Sequence, residues 1–117
     1  MKAIRVVHDH GFLHNDLQPC NVYLQYGRRV ENMDAYQVKL GGFAKCQPID
    51  RGSSDCLVTS YELEEANALI KSTEVLVSGG KNTSTKSDIW SLGVMIYALG
   101  CGQLPFRTVG EVLDAPL

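Results

Sequence analysis

A carboxylate and a carboxamide five residues apart, Asp16 and Asn21, are the pair in this chain best suited to chemistry. They lie in His14-Asn15-Asp16-Leu17-Gln18-Pro19-Cys20-Asn21, where a proline interrupts regular structure ahead of the apolar Val22-Tyr23-Leu24. A loop of this kind sets two oxygen-bearing side chains side by side. The carboxylate can take the proton of an attacking hydroxyl while the carboxamide oxygen holds a magnesium ion beside a phosphate. Phosphoryl transfer consists mostly of such positioning and charge neutralisation. Two other groupings offer less. His8, Asp9, His10 and His14 are metal-ligating types, yet their spacing defines no ligand geometry. Gly80-Lys81 hints at a phosphate-binding loop, but Asn82 stands where Ser or Thr is needed and Val75 where the first Gly is needed.

The elements that must position the loop follow from local patterning. Ala3, Ile4, Val6 and Val7 have the spacing of a short helix that stops at Gly11, with Phe12 and Leu13 expected as a short buried strand. Residues 22–25 and 36–40 are rich in β-branched and aromatic types and predict two strands, with residues 26–35 as an exposed hairpin loop. Residues 45–71 lose periodicity, although the helix formers in residues 62–70 predict a helical turn or two. Residues 77–86 predict a turn region, and its Asn82-Thr83-Ser84 glycosylation sequon matters only in a secreted protein. Residues 86–99 predict the strongest helix. Ser87 is its expected cap, Asp88 lies in its first turn, and Gly100 or Gly102 ends it ahead of Pro105. Apolar residues on nearly every side of this helix imply a core position, with Trp90, Met95 and Tyr97 inside.

Composition limits what these elements can build. With 117 residues and 44% apolar content, the chain has material for one small core. A net charge of −2 provides no basic field, so nucleic acid is not an expected partner. The longest apolar run, near Val94 to Leu99, is too short to cross a bilayer, and no membrane association is expected. Cys20, Cys46, Cys56 and Cys101 form no Cys-x-x-Cys pair, which points to reduced thiols and a cytoplasmic chain.

His14-Asn15-Asp16-Leu17 with Asn21 resembles the catalytic loop of the eukaryotic protein kinases, His-Arg-Asp-Leu-x-x-x-x-Asn. A second anchor is Ser87-Asp88-Ile89-Trp90-Ser91-Leu92-Gly93 with Leu104-Pro105-Phe106, similar to the central helix of the kinase large lobe and its exit. The resemblance runs from about Ile4 to Phe106 and matches poorly between Ala44 and Ser72. It implies an α+β, protein-kinase-like fold: a mainly helical large-lobe fragment with a small β-hairpin, filling residues 1–117. On this comparison the small lobe would lie before Met1 and the last helices beyond Leu117. Val38-Lys39-Leu40-Gly41 leans toward the NIMA-related kinases.

The same resemblance assigns roles. Asp16 takes the position of the catalytic base and Asn21 that of a metal and nucleotide ligand, while His14, Asp88 and Glu74 are structural. Asp88 would receive backbone hydrogen bonds from the loop, and Glu74 would pair with an Arg beyond Leu117. Three departures oppose activity. Gly42 replaces the Asp that is the main metal ligand, and no Asp or Glu lies between Leu40 and Ile49 to take over. Gln18 replaces a phosphate-contacting Lys, and Asn15 replaces the Arg that clamps a phosphorylated activation segment. Each lost charge contact costs roughly 10²-fold to 10³-fold in rate. The expectation is therefore a degenerate, pseudokinase-like fragment acting as a binding module, with another protein covering its exposed face. The alternative is part of an active Ser/Thr kinase using ATP and Mg²⁺, with Asp16 as base and Ser53, Ser54, Thr59 or Ser60 as regulatory phosphosites.

Overall fold

Helix α1 (Lys2–Asp9) turns Ile4 into the core and stops at Gly11, whose φ of 82° suits glycine alone. The computed structural model describes residues 2–27, 36–49 and 65–115. Strand β1 (Phe12–Leu13) then pairs antiparallel with β4 (Gln47–Pro48). Leu13 is buried but Phe12 is exposed, against the expectation that both are covered; successive strand residues face opposite sides, and here one side is open. The β4 pairing lay hidden because two residues ending in proline carry no alternation to detect.

Strands β2 (Val22–Tyr26) and β3 (Tyr36–Leu40) form an antiparallel hairpin with Val22 opposite Leu40 and Tyr26 opposite Tyr36. One face is apolar throughout, since Leu24 and Val38 pair between those two positions. Val22 and Leu40 pack against a core of Ile4, Leu17 and Met95, whereas Leu24, Val38 and both tyrosines are exposed. Of the loop expected over 26–35, Tyr26 instead ends β2, where it pairs with Tyr36, and residues 28–35 lie outside the described residues.

The remaining elements are helical: α2 (Glu65–Ala68), α3 (Thr73–Val77), α4 (Thr85–Cys101) and α5 (Val109–Leu113). Helices with two small antiparallel sheets make the α+β architecture expected. The helix expected over 62–70 is helical at 65–68, and residues 62–64 lie outside the described residues. Helix α5 was not anticipated, although its signal was present. Thr108 accepts from the Glu111 N–H at 3.2 Å while Glu111 accepts from the Arg107 N–H at 2.7 Å, close to a Thr-x-x-Glu capping pattern. Val112 is wholly buried, and its carbonyl accepts from Thr73 Oγ1 at 3.2 Å, which joins α5 to α3.

Helix α4 corrects two expectations. Its cap is Ser84, not Ser87: the Ser84 hydroxyl accepts from the Ser87 N–H, and Ser87 Oγ accepts from the Ser84 N–H at 2.9 Å. Ser87 is the reciprocal partner, three residues inside the helix. Replacing Ser84 with alanine is expected to lower stability by about 1 kcal/mol, measured by urea melts. The second correction concerns packing. Met95 is buried, but Trp90 is half-buried and stacked on Phe106 at 6.0 Å, Tyr97 is 45% exposed, and Ile89, Ile96 and Leu99 are exposed. The buried stripe is Ser87, Asp88, Ser91, Val94 and Met95. Its polar members face inward because each has a backbone group to satisfy; Ser91 Oγ, for example, donates to the Ile70 carbonyl at 3.0 Å. No helix among the described residues is long and apolar enough to cross a membrane.

Candidate functional site

Asp88 organises the loop that carries Asp16. Its side chain is 2% exposed, and its oxygens accept from the His14 N–H at 2.9 Å, the Asn15 N–H at 2.9 Å and His8 Nε2 at 2.8 Å. Three donors are needed to offset the cost of burying a carboxylate. His14 is fully buried, edge-on to Phe43 at 5.1 Å. Its Nδ1 accepts from the Asp16 N–H at 3.2 Å, so its Nε2 carries the proton and donates to the Gly41 carbonyl at 2.8 Å. The histidines expected as weak metal candidates are thus spent on carbonyls and on Asp88, and no group of three potential metal-ligating side chains occurs among the described residues.

Asp16 sits at the centre of the site, with its side chain 14% exposed. One carboxylate oxygen accepts from Gln18 Nε2 at 2.9 Å and Lys45 Nζ at 3.3 Å, with Lys71 Nζ at 4.0 Å; the other accepts from Asn21 Nδ2 at 3.0 Å. Asn21, on a 3₁₀ turn (Pro19–Asn21), also donates to the Asp16 carbonyl at 2.7 Å. Gly42 has a φ of 70°, and a Cβ built there would overlap the Asn21 carboxamide. The space beside residue 42 is therefore filled by Asn21. Glu74, on α3, makes no side-chain hydrogen bond or ion pair among the described residues. Ser53, Ser54, Thr59 and Ser60 lie outside the described residues.

A loop carrying Asp16 and Asn21, buttressed by the first turn of a long helix through Asp88, matches one family model, that of the protein kinase domain, over residues 1–114. The chain belongs to the protein kinase domain family. Its similarity extends to serine/threonine-protein kinase ppk16 of Schizosaccharomyces pombe, 35% identical over 89% of this chain and 14% of that protein. The ovarian-specific serine/threonine-protein kinase Lok of Drosophila melanogaster is 33% identical over 89% of this chain and 20% of its own length. Maternal embryonic leucine zipper kinase of Xenopus laevis is 28% identical over 91% and 14%. The chain thus spans between about a seventh and a fifth of these relatives.

Two lysines of this kinase domain escaped sequence reading. Lys45 and Lys71 carry no motif spacing relative to Asp16, and only the fold brings them to it. Burial holds Lys71 below the usual lysine range; the Asp16 and Asp88 carboxylates oppose that shift and Lys45 adds to it. The folded chain therefore releases this proton below 10.5, where the unfolded chain still holds it. In that window the unfolded state binds more protons, so the Lys71 contribution makes stability rise with pH. The Cys46 thiol is pushed up from 9.0, chiefly by burial and then by Asp88, and makes stability fall as pH passes above that value. Urea melts at stepped pH in a Cys46→Ala background are expected to show the rise, and Lys71→Met to remove it.

Proposed function

We propose that this kinase domain is catalytically inactive and acts as a binding module. The contact of Asn21 with Gly42 carries the reading: residue 42 has no side chain to offer a cation, and the Asn21 carboxamide occupies the space a Cβ there would need and points its amide nitrogen to Asp16. Without a carboxylate at residue 42, a magnesium ion here would have only the Asn21 carboxamide and the already hydrogen-bonded Asp16 as side-chain ligands, the rest of its octahedral shell falling to water and phosphate. Both Asp16 oxygens already accept hydrogen bonds, so a substrate hydroxyl would share them with an amide or an ammonium. The exposed Ile89, Ile96 and Leu99 of α4 supply the apolar surface such a module would present to a protein partner. Incubation of the purified chain with radiolabelled ATP, Mg²⁺ and generic Ser/Thr acceptors is expected to give no incorporation above that of Asp16→Ala. Magnesium-dependent labelling lost in that variant would refute inactivity.

The juxtaposition of Asp16 and Asn21 favours a second reading, part of an active ATP-dependent Ser/Thr kinase with Asp16 as base and Asn21 as metal ligand. Thermal-shift titration with ATP separates the two. Stabilisation that requires Mg²⁺ supports the active kinase, and a melt indifferent to Mg²⁺ supports the binding module.

A further inference from the structure

Among the described residues, Asn15 alone has a positive φ without being glycine, at 66°. Asparagine tolerates this left-handed conformation better than most side chains, but nothing in that preference says which way the following peptide turns. Here both ends of the Asn15–Asp16 peptide are held. Its carbonyl accepts from Lys71 Nζ at 2.7 Å, and its N–H donates to His14 Nδ1 at 3.2 Å. A flip of this peptide would break both bonds and re-aim Asp16.

Lysine is an expensive choice for that task. The Lys71 side chain is 15% exposed, and the nearby Asp16 carboxylate, 4.0 Å away, is shared with Lys45 at 3.3 Å. A buried ammonium persists only where its protons meet acceptors, and among the described residues the Asn15 carbonyl, at 2.7 Å, is the acceptor nearest to it. The side chain of Asn15 does not take that role: its Nδ2 donates to the Lys45 carbonyl at 3.1 Å, and its buried Oδ1 has no hydrogen-bond partner among the described residues.

We propose that Lys71 is a positioning residue: its ammonium pins the Asn15 carbonyl, fixes the direction of Asp16, and ties the segment ahead of α3 to the site loop with no phosphate between them. This goes beyond the proposed function and holds whether or not Asp16 does chemistry. Among the described residues, the charged groups around Lys71 are Asp16, Lys45 and Asp88.

Carbon-detected NMR of the isotope-labelled full chain tests it through a pH titration. The Asn15 carbonyl resonance is expected to move with the same midpoint as the Lys71 Cε resonance. That midpoint falls in Asp16→Asn and rises in Lys45→Met, because the carboxylate favours the ammonium and the second lysine opposes it. Amide exchange at Asp16 should speed up roughly tenfold in Lys71→Met, as for a lost buried hydrogen bond, and recover in Lys71→Arg. An Asn15 carbonyl that stays flat while Lys71 titrates overturns the proposal, as does unchanged Asp16 exchange in Lys71→Met. If that variant does not fold, the titration of the unsubstituted chain decides alone.

Discussion

Replacing Asp88 with alanine is expected to cost about 3–5 kcal/mol and to move the cooperative melt of the chain to much lower denaturant. The carboxylate is 2% exposed, and its removal leaves the His14 and Asn15 N–H groups buried without an acceptor. Each orphaned backbone donor costs about 1–3 kcal/mol, and a domain of this length has only about 5–15 kcal/mol in total. The loss also frees α1, because His8 bonds to the same carboxylate at 2.8 Å. Two controls separate these contributions. Asp88→Asn keeps one acceptor while setting an NH₂ group against a donor, so its loss should be smaller but of the same kind. His8→Ala removes one bond at a half-buried position and should cost about 1 kcal/mol. Circular dichroism during urea denaturation measures all three, and an Asp88→Ala protein within 1 kcal/mol of the parent would be incompatible with the hydrogen bonding described.

Gly42→Asp, the substitution that restores a carboxylate where the family carries one, is expected to destabilise the domain by about 2–4 kcal/mol and to create no magnesium-dependent stabilisation by ATP. The backbone there is left-handed, with a φ of 70°, which costs a residue bearing a Cβ about 1–2 kcal/mol. That Cβ also overlaps the Asn21 carboxamide, so Asn21 must rotate away and give up its bonds to the Asp16 carbonyl and carboxylate. Two such hydrogen bonds contribute about 2 kcal/mol together. Thermal melts of parent and variant, each with ATP in the presence and absence of Mg²⁺, measure both effects. A Gly42→Asp protein as stable as the parent, or one that gains a magnesium-dependent shift, would mean that the Asn21 position is readily vacated and that inactivity rests on a single side chain.

Much of the architecture was legible in the chain itself. The stop at Gly11, the two hairpin strands and the existence of α4 all follow from short-range pattern, because backbone preference and residue spacing act within a few positions. The pairing of Asp16 with Asn21 was legible for the same reason: five residues and a proline bring them together without help from the rest of the fold. The orientation of α4 was not. With apolar residues on nearly every side, periodicity names no inward face, and the buried stripe proved to include Ser87, Asp88 and Ser91 while Ile89 and Leu99 (84% exposed) face out. The loop and the Ile70 carbonyl supply backbone groups that only those polar side chains satisfy.

The sequence by itself singled out Asp16 and Asn21 as candidates for chemistry and set a glycine at position 42. Tertiary structure alone decided that Asn21 fills the space beside Gly42, and that Lys45 and Lys71, the latter bonded to a carbonyl 56 residues earlier, converge on Asp16. An ammonium on a flexible four-carbon stem reaches any acceptor the fold brings near, and no spacing rule along the chain encodes that reach.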